Sequence, residues 1–201
     1  MGNETYRLVH PVSADLLIDE EEFARDERLP YWAVIWPSSI ALARRLSFSN
    51  LRSKRIMELG CGLGLPSMVA LRLGARVTAV DHYEIALDFA RWNARANTGQ
   101  ELKTAHLDWH SPAAPNLGRF EVVLAADVLY EQRNVPALAA LIPELLSPKG
   151  EVLVSNPRRR DAPDFHEAMG ERGFGRSTES ATVRQGERDV EVLIHRFRRT
   201  C

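Results

Sequence analysis

Met57-Glu58-Leu59-Gly60-Cys61-Gly62-Leu63-Gly64-Leu65-Pro66 is the stretch that decides how this chain is read. Before it, Arg55-Ile56-Met57 is strand-like; after it, Ser67-Met68-Val69-Ala70-Leu71 repeats apolar residues at helical spacing. A strand therefore passes into a helix through three glycines, which lack a Cβ, can take positive φ and let a ligand approach the main chain. Such a turn is either a nucleotide cradle or a tight connection. Counted from Gly60, a dinucleotide fingerprint of the form G-x-G-x-x-G would put its third glycine where Leu65 stands. The third glycine instead comes one residue early, and Glu58 precedes the first, which gives acid-x-Gly-x-Gly-x-Gly.

Towards the carboxyl end, the helix is expected to stop at Gly74, and Arg76 to Asp81 reads as a second buried strand closed by an acid. Asp81 follows Gly60 by about 20 residues, the offset at which a strand-end carboxylate meets ribose hydroxyls. Capping of the helix Tyr83–Asn97 is its other possible duty. Leu102 to Leu107 alternates as a third strand and ends in Asp108-Trp109-His110, which either takes the adenine edge and ring or forms a capped turn over the core.

Phe120-Glu121-Val122-Val123-Leu124-Ala125-Ala126 is the most continuous apolar strand, as expected of a central parallel strand covered on both faces. Asp127-Val128-Leu129-Tyr130 leaves its carboxyl end, where ligands bind in doubly wound sheets. A helix over Pro136–Leu146, a turn at Pro148-Lys149-Gly150, a strand over Glu151–Ser155 and a helix from about Ala162 to Arg172 follow. Ser180–Arg184 and Asp189–Phe197 flank Gln185-Gly186-Glu187 as a hairpin. Strands alternating with helices, then a strand pair, imply an α/β fold, doubly wound around a mostly parallel sheet with a C-terminal antiparallel strand pair.

Towards the amino end, Tyr31, Trp32 and Trp36 crowd between Pro30 and Pro37, just before a helix that Pro37 is suited to open. Trp32 and Trp36 are either core aromatics or ring faces against a cation or substrate. Residues 1–30 form an extension in which Tyr6–Val9 and Asp15–Ile18 suggest two short strands ahead of the acidic run Asp19–Glu22, and residues 31–201 make one domain.

A length of 201 residues fits one domain, and a net charge of -1 supplies no global field towards nucleic acid or an anionic membrane. Cys61 and Cys201 make neither a disulfide framework nor a metal-binding cluster. With no leader-like amino terminus and no long apolar run, a reducing, cytoplasmic setting is expected. The six histidines are scattered without ligand spacing, so no metal is expected.

Taken together, these residues resemble a class I, seven-β-strand Rossmann-like methyltransferase that uses S-adenosylmethionine. Trp36, the Glu58–Gly64 loop, Asp81, Asp108-Trp109 and the run from Asp127 to Tyr130 are similar to the lysine methyltransferases of methyltransferase family 16. The Tyr31–Pro37 run looks most like the branch that methylates the electron transfer flavoprotein β-subunit. Asn156-Pro157-Arg158-Arg159 departs from that branch, which tends to show Asp-Pro-Gly-Arg there. The resemblance implies cofactor contacts by Trp36, Glu58, Gly60, Gly62, Asp81 and Trp109. The same crevice adds Cys61, Gly64, Leu65, His82, Asp108 and Ala126. On the acceptor side it implies catalytic roles for Asp127 and Tyr130, and Trp32 and Arg158 are candidate substrate contacts. The bland alternatives are an N-cap at Asp127, packing at Tyr130 and a solvated loop at Arg158–Arg160. A protein lysine is the expected acceptor and a small-molecule amine the alternative. A NAD-dependent oxidoreductase is disfavoured by the glycine spacing, and a non-catalytic binding module by the intact Asp81, Asp127 and Tyr130.

Overall fold

The computed structural model describes residues 5–18, 29–111, 117–160 and 162–200. In chain order it forms single 3-10 turns at Asp15–Leu17 and Tyr31–Ala33, then α1 (Pro37–Leu46), β1 (Arg55–Leu59), α2 (Leu65–Arg72), β2 (Arg76–Asp81), α3 (Glu84–Thr98) and β3 (Lys103–His106). There follow β4 (Phe120–Ala126), α4 (Asn134–Leu145), β5 (Leu146–Asn156), α5 (Ala162–Glu171), β6 (Phe174–Gln185) and β7 (Arg188–Arg199).

The strands join in one 7-stranded sheet, ordered β3-β2-β1-β4-β5-β7-β6. β1 runs parallel to β2 and β4, β2 to β3, and β4 to β5, whereas β7 lies antiparallel between β5 and β6. The order in which successive strands are added across the sheet reverses between β1 and β4, which themselves run parallel. A crevice therefore opens above their carboxyl ends, because the connections leaving them turn to opposite faces.

Alternation along each central strand explains the two helical layers. Ile56, Val122 and Leu153 face α1, α2 and α3 through Leu42, Leu46, Met68, Val69 and Leu87. Met57, Val123 and Val152 face α4 and α5 through Leu138, Ile142, Phe165 and Met169. Burial on both faces is what made β4 read as an unbroken apolar run.

The amino-terminal region departs from the expected strands. Residues 5–9 pair with no strand among the described residues, and Asp15–Leu17 is a 3-10 turn. Two amides of α3 hold the first segment instead. Asn97 Oδ1 accepts the Arg7 N–H at 2.8 Å while its Nδ2 donates to the Arg7 carbonyl at 2.8 Å. One helical turn earlier, Asn93 does the same for Val9, at 2.8 and 3.0 Å. The acidic run Asp19–Glu22 lies outside the described residues. The turn expected at Pro148–Gly150 is absorbed into β5, where pairing with β4 shifts register. No described helix is long and apolar enough to cross a membrane.

Candidate active site

β1 ends at Leu59, and the next turn has Gly60 at φ 63° and Gly64 at φ 81°, both left-handed. The two glycines serve different ends. A Cβ on Gly60 would stand 3.1 Å from the Trp109 ring and 3.2 Å from Val128, so the bare α-carbon keeps the crevice floor open. A Cβ on Gly64 would stand 3.1 Å from Ala90 Cβ, so this glycine lets α2 and α3 approach.

Two acids brace the turn from below. Glu58 is buried at 1% exposure, and its Oε2 accepts the Ser67 N–H at 2.9 Å and the Ser67 hydroxyl. Burial pushes its carboxyl up to about 8 against the opposing pull of those Ser67 hydrogen bonds. Asp81 is 6% exposed; Oδ2 accepts the Gly62 N–H at 2.9 Å and Oδ1 the Tyr83 N–H at 3.1 Å. Burial raises this carboxyl too, opposed by the same N–H donors. It therefore caps the approach to α3 and lines the crevice at once, and each oxygen keeps accepting capacity for a second donor. Burial, with Asp81 and Glu58 nearby, raises the Cys61 thiol well above its ordinary range, which keeps it protonated and non-nucleophilic.

Beyond β3, Asp108 Oδ1 accepts the His110 N–H at 2.9 Å, and Oδ2 sits 3.6 Å from His82 Nδ1. Trp109 Nε1 donates to His110 Nε2 at 3.1 Å, and that nitrogen lies 3.0 Å from Asn134 Oδ1. A polar turn thus presents the indole edge to the crevice.

The opposite wall is built around Asp127. Its φ of 59° is left-handed, a region a short polar side chain tolerates, and its N–H donates to the Ser155 carbonyl at 2.7 Å. Oδ1 accepts Arg159 Nε at 2.7 Å and Oδ2 accepts the Ser38 hydroxyl at 3.2 Å. The Arg159 guanidinium lies 6.0 Å from the Trp36 ring centroid, and its backbone N–H donates to Asn156 Oδ1 at 3.0 Å. Tyr31 meets Tyr130 edge to face at 5.1 Å and Trp36 at 6.0 Å, while Trp36 Nε1 donates to the Tyr31 carbonyl at 2.8 Å. Burial, then Glu131, raise the Tyr130 phenol, so it stays a neutral hydroxyl at physiological pH.

One cavity of ≈ 260 Å³ is lined by Trp32, Trp36, Glu58, Gly60, Cys61, Gly62, Asp81, His82, Asp108, Trp109, Ala126, Asp127 and Tyr130. Three expected contacts lie elsewhere. Gly64 and Leu65 belong to the packing of α2, and Leu65 is buried in the core. Arg158 takes φ 54°, turns outward and pairs with Glu191 at 2.9 and 3.0 Å, so the arginine of this loop that lines the crevice is its neighbour Arg159. Trp32 packs on Phe89 at 5.5 Å and joins a core cluster with Ala33, Leu63 and Ala86. It is the core member of the tryptophan pair. The sequence pointed to Tyr31 and Arg159 only as members of longer runs and offered no sign of Asn134. Tyr31 lay within the aromatic run, but nothing local distinguished Arg159 from Arg158. Among the described residues no group of three His, Cys, Asp or Glu side chains could hold a metal ion.

The model of methyltransferase family 16, described as lysine methyltransferases, matches residues 20–171. The chain belongs to that family. METTL21A of Danio rerio, a protein N-lysine methyltransferase, is 34% identical over 140 residues, which is 64% of this family-16 chain and 62% of the relative. EEF1A lysine methyltransferase 3 of Mus musculus is 27% identical over 177 residues, 85% of this chain and 74% of that protein. Neither relative is named for the electron transfer flavoprotein, so the branch expected from Tyr31–Pro37 is not carried further. The fold is shared with the N-methyltransferase NodS of Bradyrhizobium japonicum in complex with S-adenosyl-L-homocysteine, at TM-score 0.65, 18% identity and coverage of 92% of this chain and 95% of that one.

Proposed function

We propose that the chain is an S-adenosylmethionine-dependent N-methyltransferase whose acceptor is a lysine side chain of a protein. The observation that carries this reading is the pairing, across one cavity, of the Gly60–Gly62–Asp81 cradle with Asp127 and Tyr130. Family membership and the names of its relatives support the lysine acceptor.

The residues present suit the cofactor. Asp81 offers two carboxylate oxygens to vicinal ribose hydroxyls, Gly60 leaves room for the amino-acid portion, and Trp109 with Asp108 flanks the place for the base. When bound, S-adenosylmethionine supplies a methyl group already activated on a sulfonium. What remains for the protein is alignment and exclusion of water, and alignment alone is worth about 7–11 kcal/mol. Tyr31, Trp36 and Tyr130 form the aromatic wall of the acceptor side. Asp127 accepts an N–H of the amine and fixes the direction of its lone pair. Tyr130, held neutral, works as a hydroxyl and a ring face rather than as a base.

Incubation with methyl-tritiated cofactor, a host lysate and separately its small-molecule fraction tests the assignment. Label recovered as methyl-lysine in protein is expected. Label confined to the small-molecule fraction overturns the protein acceptor, and binding of a nicotinamide cofactor in place of S-adenosylmethionine overturns the methyltransferase reading. Asp127→Ala should abolish transfer while cofactor affinity stays within a few-fold.

A further inference from the structure

We infer that Arg159 is a positioning residue that keeps the acceptor amine uncharged: its guanidinium cancels the Asp127 charge, so that the carboxylate orients a neutral amine without stabilising the ammonium. This rests on the amine acceptor assigned under the proposed function.

A buried carboxylate is a poor neighbour for an amine nucleophile. By itself it favours the charged form of any base beside it, and an ammonium has no lone pair. Asp127 is 6% exposed and lies at the acceptor end of the cavity, so without a counter-charge it would hold lysine in its inert state. The structure provides that counter-charge in a fixed place. Three contacts pin Arg159: Nε on Asp127 Oδ1 at 2.7 Å, the guanidinium by the Trp36 ring, and the backbone N–H on Asn156 Oδ1 at 3.0 Å. The loop spends Arg158 on Glu191 at the surface and sends only the next side chain inward. Ser38 from α1 meets the other oxygen with an uncharged hydroxyl, which leaves Asp127 able to accept from an amine.

The remaining charges around the acceptor end do not substitute for this one. Glu131 is paired with Arg133 on the segment after β4, and Tyr31 and Tyr130 are phenols. Glu58 and Asp81 brace the glycine turn on the opposite wall, and His82 and His110 flank Asp108 beyond β3. The step at issue is deprotonation: the N–H bond of the incoming ammonium breaks, the proton passes to water, and the electron pair stays on nitrogen.

The test is the pH profile of kcat for methylation of Nα-acetyl-lysine methylamide at saturating cofactor, because kcat reports ionisations of the bound complex. In Arg159→Gln the rising limb should move about one pH unit or more to the alkaline side, so that turnover at pH 7 falls about tenfold and recovers near pH 9. Arg159→Lys should restore the wild-type limb, and Asp127→Asn combined with Arg159→Gln, which removes both charges, should bring the midpoint back. A turnover-free readout uses the same probe with S-adenosylhomocysteine in two buffers of different ionisation enthalpy: binding should release a proton from wild type and not from Arg159→Gln. A loss of kcat that is uniform with pH, with cofactor affinity unchanged, overturns the inference and leaves the methyltransferase assignment standing. Absence of wild-type turnover on this amine and on every lysate protein from pH 6 to 10 overturns both.

Discussion

Glu58 fastens the end of β1 to the first turn of α2 through Ser67, whose N–H and hydroxyl both reach the same carboxylate oxygen. Because burial raises this carboxyl from 4.5 to about 8, its contribution to stability is complete below about pH 4.5 and is lost as pH rises through about 8. Glu58→Gln keeps an acceptor for Ser67 and carries no charge. The variant should therefore gain on wild type across that window, by at most about 1.4 kcal/mol per pH unit, as measured by denaturant unfolding at fixed pH values. A gap that stays constant with pH would show that the carboxylate is not ionising there.

Gly60 and Gly64 separate binding from folding. Gly64→Ala places a methyl against Ala90 at positive φ and should lower stability by about 1–3 kcal/mol while cofactor affinity stays within a few-fold. Gly60→Ala drives the Trp109 ring into the crevice and should weaken cofactor binding by tenfold or more. Thermal unfolding and calorimetric titration of both variants check the division, and equal losses of affinity would refute it.

His166 of α5 and His195 of β7 meet edge to face at 4.3 Å, and neither Nε2 finds a hydrogen-bond partner among the described residues. Burial lowers each imidazole from 6.5 to about 4, helped at His166 by His195 and Arg176 and at His195 by Arg176. Their stabilising contribution is present above about pH 6.5 and is lost as pH falls towards 4, the opposite sense to Glu58. His195→Leu should flatten the fall in melting temperature between pH 6.5 and 4.5. An unchanged acid limb would place the loss elsewhere.

The strands buried on both faces were legible because burial leaves an unbroken apolar run, as in Val122–Ala125, and the glycine turn was legible because its spacing is chemical. β6 was only half seen. Most of its residues from Gly175 to Ser180 are exposed and polar, and their strand state comes from the ladder with β7 rather than from their own pattern. The amino-terminal strands failed for a related reason: the alternation at Tyr6–Val9 is real, but α3 side chains take the place of a neighbouring strand. Arg159 was not singled out from the Arg158–Arg160 run because a left-handed residue at Arg158 and the Asn156 turn decide which arginine faces inward, and both are set by tertiary contacts.

The grip of Asn93 and Asn97 on residues 7 and 9 reads main-chain atoms alone. Any side chain at those two places leaves the four bonds intact, so selection can rewrite the leading segment freely so long as two amides, one helical turn apart, are retained on α3. Proline is the exception, since it has no N–H to give.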